Sequence, residues 1–277
     1  MKLLLFAVAG LLAQLVDGAL GMAFGITATT ALILSGAAPA QASAAVHFAE
    51  VGTTLFSGLA HWKLNNVHWP TVFFLGVPGA VGAFVGATVL SGLSTESAEP
   101  VVSTILLLLG AYVLVRSVAL PWKRRQRSEF ADGAGTPHTP AAHGRFGLAA
   151  LGLGGGFLDA TGGGGWGPVT TSTLLSVGRR EPRKIIGTVN TAEFLVAVSA
   201  SLGFIFGLDQ VHGSWQPVLG LLIGGLIGAP IAAWVVTVVN PDVLGAVVGS
   251  LLIVLNGVRV INALSWAGAA MVAVVVI

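Results

Sequence analysis

Long apolar runs separated by short polar stretches set the pattern of this chain. They occupy 3–17, 19–35, 39–60, 70–91 and 99–120, then 145–158, 160–177, 184–207, 215–238 and 241–263. A membrane-spanning helix takes about 20 mainly apolar residues, and several runs reach that length. The expected fold is therefore all-α and polytopic, built from two groups of about five hydrophobic segments. A last apolar stretch, 265–277, is too short to span. Residues 121–145 separate the two groups; they are charged at first, then rich in Pro, Gly, Thr and His, and read as a loop. The expected organisation is a transmembrane repeat at 1–120, a linker at 121–145, a second repeat at 146–264 and an apolar tail at 265–277. The first residues resemble a signal peptide, but the apolar pattern continues past Asp17 and recurs later, so a retained segment is expected.

The two groups match one another in sequence. D-G-A-L-G-M-A-F-G, from Asp17 to Gly25, aligns with D-A-T-G-G-G-G-W-G, from Asp159 to Gly167, at an offset of 142. H-F-A-E, His47 to Glu50, aligns with N-T-A-E, Asn190 to Glu193, at 143. G-A-F-V-G-A, Gly82 to Ala87, aligns with G-G-L-I-G-A, Gly224 to Ala229, at 142. Matches in one order at nearly one offset indicate an internal repeat, a mark of secondary transporters.

Composition narrows the class. Of the 277 residues 55% are hydrophobic and 9% charged, against about a quarter charged in soluble domains. Mean hydropathy is +0.89. An ordinary cytosolic enzyme, a disordered chain and a nucleic-acid binder are excluded. With no cysteine there are no disulfides or Cys-ligated metals. The six histidines show no metal-ligand spacing, so neither a metal nor a cofactor is expected. No P-loop and no catalytic Ser/His/Asp or H-E-x-x-H pattern occurs, so neither ATP-driven transport nor an enzyme is expected.

Charge orients the segments. Lys123, Arg124, Arg125, Arg127 and Arg145 place the linker on the cytoplasmic side. R-R-E-P-R-K, Arg179 to Lys184, belongs there too, which requires an even number of crossings over 145–178. The first-half counterpart of that loop, 36–39, then lies outside. The repeats are expected to be inverted, with Gly-broken first segments. Lys2 alone dissents. Trp62, Trp69, Trp122, Trp215 and Trp266 suit the interfacial belt.

Four of the eleven carboxylates fall in or at breaks of apolar segments: Asp17, Glu50, Asp159 and Glu193. Such groups cost about 2.5–3.5 kcal/mol at the bilayer centre and usually face a bundle interior or an aqueous cavity. Asp17 and Asp159 precede glycine-rich turns, where an Asp also caps a helix start. His47 and Glu50 share a helix face, as do Asn190 and Glu193. The His–Glu pair suits proton coupling, which the second copy lacks because Asn replaces His; both pairs also suit a pathway lining or helix packing.

Glycine is the most informative residue. Its 39 copies are about twice the usual share. Gly82/Gly86 and Gly224/Gly228 are G-x-x-x-G pairs and read as helix packing. Thr161 followed by Gly162, Gly163, Gly164 and Gly165 is a poor helix interior. Pro168 and Thr170 then begin a new helix. Gly18, Gly21, Met22, Gly25 and Thr27 form a weaker copy. A helix start offers N–H groups and a positive dipole end, hence an anion site. Trp166, within the break, reads as a gate or pocket wall.

The duplicated unit, the early D-G-x-x-G-x-x-x-G, the later D-A-T-G-G-G-G-W-G-P and the N-T-A-E-F helix resemble the sulfite exporter TauE/SafE family. The resemblance covers nearly the whole chain. It implies a bacterial inner-membrane permease for sulfite, a sulfonate or a related anion. The expected substrate site combines the two breaks, from Asp17 to Thr27 and from Asp159 to Thr170. His47, Glu50, Asn190 and Glu193 are expected along the pathway. A cation or metal permease using the four carboxylates is the second reading. Expected partners are the small anion and the lipid bilayer; a homo-oligomer is compatible and nucleic acid is not expected.

Overall fold

A computed structural model describes residues 2–20, 22–119, 144–177, 182–208, 215–238 and 240–276. Helices among these residues are α1 (Lys2–Leu20), α2 (Phe24–Leu34), α3 (Pro39–Lys63), α4 (Trp69–Ser91) and α5 (Thr95–Ala119) in the first half. The second half has α6 (Arg145–Gly162) and α7, which opens with a π-helical turn at Gly167–Thr171 and continues as Ser172–Val177. Then come α8 (Pro182–Gly207), α9 (Gln216–Val238) and α10 (Pro241–Val276). The chain is an all-α polytopic membrane protein. Trp69–Ser91, Thr95–Ala119, Arg183–Gly207 and Asp242–Ser265 are long and apolar enough to cross a bilayer, and Phe24–Leu34 and Gln216–Ala232 are shorter apolar helices. The backbone of 265–276 continues α10 as helix instead of forming a separate stretch. Gly21, Trp122, the charged part of the linker from Lys123 to Arg127, Arg179, Arg180 and the 209–214 loop lie outside the described residues.

The outer surface is apolar. Leu4, Phe73, Val115, Phe206 and Val254 are each more than half exposed. In water such a surface would be an aggregation liability; against lipid it is the favoured one. Trp62, Trp69 and Trp215, at or beside helix ends, are also about half exposed, as interfacial residues are.

The two halves interlock. α1 packs along α9, and its counterpart α6 packs along α4. α3 meets α8, and α5 meets α10. Each of these pairings maps onto itself or onto another when the halves are exchanged. Neither half is a separate packing unit, because each contributes its first helix to the other.

Glycine makes the swapped contacts close. A Cβ on Gly82 would run into the Leu153 carbonyl oxygen of α6, and one on Gly86 would lie 2.7 Å from the Phe157 carbonyl oxygen. On the other side, a Cβ on Gly224 would meet the Ala7 carbonyl oxygen of α1. Apolar burial gives little drive between helices in lipid, so close backbone approach holds them together. Gly154, on the open side of α6, meets nothing within 4 Å.

Gly82→Leu or Gly224→Leu is expected to destabilise the fold by at least about 3 kcal/mol, the upper end of overpacking costs, because the obstruction is backbone. Gly154→Ala should be neutral or stabilising by up to about 1 kcal/mol. Thermal unfolding of the purified variants in detergent checks both.

Candidate functional site

The site begins at two interruptions. Between α1 and α2 the helix stops, Ala23 takes a left-handed φ of 110°, and α2 starts at Phe24. Between α6 and α7 the chain turns through Gly163 at φ 70° and Gly164 at φ 147°. Only glycine adopts the second conformation readily.

The breaks lie back to back. A Cβ on Gly25 would stand 2.6 Å from the Gly164 Cα, and one on Gly164 would strike the backbone of Gly25 and Ile26. The Thr29 hydroxyl donates to the Gly163 carbonyl across the contact. Gly162 faces Ile105, where a side chain would not fit. Conformation and crowding together therefore account for three glycines of the four-residue run.

Each break is held by an aspartate of the preceding helix. Asp159 Oδ1 accepts from the N–H of Gly165 at 2.7 Å and of Trp166 at 2.9 Å. Asp17 Oδ1 accepts from the Phe24 N–H at 3.2 Å. Phe24 and Trp166 are 142 residues apart, as are Asp17 and Asp159, so the two caps are the same interaction repeated. The carboxylate oxygens themselves take the acceptor positions at these helix starts.

A cavity of about 300 Å³ opens between the breaks. It brings together Asp17, Met22, Gly25, Glu50, Asp159, Gly164, Gly165, Asn190 and Glu193. Four carboxylates thus face one space, and no Lys, Arg or His is among the described residues lining it. Glu50 is 4% exposed, and its Oε2 has no hydrogen-bond partner among the described residues.

Other expected site residues stand behind this wall. The Thr161 hydroxyl donates to the Phe157 carbonyl at 2.6 Å and that of Thr170 to the Trp166 carbonyl at 2.5 Å, so both are spent within their own segments. Thr27 and Gly163 do not line the cavity, and Gly18 lies in α1 just before the break. Trp166 is not a pocket wall. Its ring is fully buried against Gly79 and Gly155, and its Nε1–H donates to the Val189 carbonyl at 3.2 Å. The tight α4–α6 packing gives the ring a core slot.

The helix-face pairs also part company. His47 does not bond Glu50. Its Nε2 lies 3.1 Å from Asp159 Oδ2, and its Nδ1 lies 2.8 Å from the Ser43 carbonyl oxygen. A carbonyl only accepts, so Nδ1 carries a proton. Asn190 donates from Nδ2 to the Ser57 hydroxyl of α3 at 3.1 Å.

Some lining residues escaped the sequence reading. Thr53, Thr54 and Ser57 extend the face of Glu50 along α3, and Gln14 sits one turn before Asp17. Counting three, four and seven residues from each carboxylate finds them. Arg116 approaches Met22 Sδ at 3.7 Å and donates to the Ser172 hydroxyl, one layer behind the cavity. A single arginine inside the apolar run 99–120 was its signal.

Asp159→Ala is expected to destabilise the protein by about 3 kcal/mol, since it strips the acceptor from two buried N–H groups and leaves His47 Nε2 without its partner. Asp159→Asn keeps Oδ1 and can donate from Nδ2 to His47, so its cost should be about 1 kcal/mol. Chemical unfolding in detergent separates them; equal losses would remove the capping role.

The family model described as Sulfite exporter TauE/SafE matches residues 6–258. A protein of Bacillus subtilis (strain 168) described as "Probable membrane transporter protein YtnM" is 47% identical over 261 residues, covering 94% of this chain and 83% of that protein. No solved structure matches. With a transmembrane helical body and a match over nearly its whole length, the chain belongs to the sulfite exporter TauE/SafE family of membrane transporters.

Proposed function

We propose that this membrane transporter is a secondary permease carrying a small sulfur-containing anion, such as sulfite or a sulfonate, together with protons. The observation that carries the reading is the cavity where two capped helix starts meet, lined by Asp17, Glu50, Asp159 and Glu193. The first turn of α2 lines the cavity through Gly25 and Ile26. Ser57, which accepts from Asn190, keeps its hydroxyl proton for the anion, whereas Thr53 and Thr54 donate theirs to the Glu50 carbonyl.

The carboxylates decide the coupling. A monoanion about 6 Å from one ionised carboxylate is repelled by about 3 kcal/mol at an effective dielectric of 20. Two or more ionised groups would keep the anion out. Protonation removes that barrier, so anion and proton move together. Alternating access then comes from one repeat moving against the other about the breaks, with the repeats inverted. The 121–145 linker is cytoplasmic, and the membrane is the bacterial inner membrane. The protein performs no catalysis in this reading.

A second reading is a cation or metal permease. It is favoured by the same four carboxylates and by the lack of a cationic side chain among the described lining residues.

Labelled sulfite flux into proteoliposomes under an imposed pH gradient tests the proposal. Saturable uptake that a protonophore collapses is expected. Glu193→Gln, neutral at every pH, should lower gradient-driven accumulation by about tenfold. Failure of sulfite, sulfoacetate and taurine to move faster than in empty vesicles would sink the anion reading, and saturable divalent-cation flux in the same vesicles would establish the second.

A further inference from the structure

We infer that His47 and Glu50 of α3 and Asp159 of α6 form a binding site for one divalent first-row transition-metal ion in the cavity wall. Each residue offers a ligand atom, and these atoms lie within 4.8 Å of one another. All three residues are buried.

Three features prepare these atoms for a metal. His47 donates from Nδ1 to the Ser43 carbonyl at 2.8 Å, which leaves Nε2 pointing at the other ligands. Metal-bound histidines almost always have their second nitrogen fixed by such a bond. Asp159 Oδ1 is occupied by two backbone N–H groups, so Oδ2 is the oxygen left for a ligand. Glu50 Oε2 is a buried carboxylate oxygen with no partner among the described residues. A hydrogen-bonded His47–Asp159 pair explains the first two features but leaves Glu50 unexplained.

The donor set selects the ion. One imidazole nitrogen with two carboxylate oxygens suits zinc, manganese, cobalt or nickel, whereas calcium and magnesium take oxygen ligands. Bonds of about 2.0–2.2 Å bring ligand atoms to within about 4.2 Å of each other. The Nε2–Oδ2 separation of 3.1 Å already suits a tetrahedral edge, and the flexible Glu50 side chain closes the remainder. Glu50 and Asp159 also line the 300 Å³ cavity, which leaves a coordination position open to water or substrate. The use of this charge rests on the anion-permease reading: a dication there would offset the carboxylates and face an incoming anion. The binding itself does not depend on that reading.

The test uses the full chain, purified in detergent, stripped with chelator and titrated with Co²⁺. One Co²⁺ per chain, with visible ligand-field absorption, is expected. His47→Gln and Glu50→Gln should each weaken binding at least about tenfold. Glu50 Oε2 makes no hydrogen bond among the described residues, so Glu50→Gln keeps the test valid should His47→Gln not fold. Glu193→Gln should retain the site. No stoichiometric Co²⁺ binding, unchanged affinity in Glu50→Gln, or equal loss in Glu193→Gln would overturn the inference. Co²⁺ binding without sulfite flux would sink only the anion reading. Sulfite flux in chelator-treated vesicles of a protein that binds no Co²⁺ would sink only the metal site.

Discussion

Two aspartates make this fold feasible in lipid. A chain that stops one helix and starts another inside a membrane exposes N–H groups with no water to receive them, and each unsatisfied group costs several kcal/mol. Asp17 and Asp159 supply the acceptors, reaching forward to Phe24 and to Gly165 and Trp166. With the caps in place the chain can be interrupted twice, and the interruptions can touch through Gly25 and Gly164. The cavity exists because neither helix fills the space between them.

The rest of the architecture keeps the breaks together. α1 and α6 carry the capping aspartates, and each is clamped on the opposite half through glycine faces that admit no side chain. The clamp leaves Trp166 a core slot and aims Glu50 and Glu193, from the paired helices α3 and α8, into the space between. One carboxylate of each half thus caps a break, and all four face the cavity. Asp159 caps two N–H groups and also meets His47 Nε2, which ties it to α3.

Much of this was legible in the order of residues. Apolar runs of helical length located the ten helices among the described residues, and the recurrence at an offset of 142 located both breaks and the four carboxylates. G-x-x-x-G spacing identified the packing faces at Gly82 and Gly224. Trp166 misled, because a tryptophan beside glycines reads the same whether it faces a cavity or a core slot. Thr161 and Thr170 misled for a related reason: a helix-terminal hydroxyl can bond back to its own turn, and sequence does not say when it does.

Local chemistry is written in the order of residues: a membrane-soluble surface, helix lengths, breaks where glycine accumulates, and carboxylates too rare in apolar sequence to be incidental. Which residues meet across the fold is set by packing between distant segments. His47 and Glu50 share a helix face, yet His47 turns to Asp159, which is 112 residues away. Helical spacing fixes which residues lie on one face. Which helix that face meets is fixed by close packing between segments far apart in the chain, and that packing brought a histidine and two carboxylates around one point.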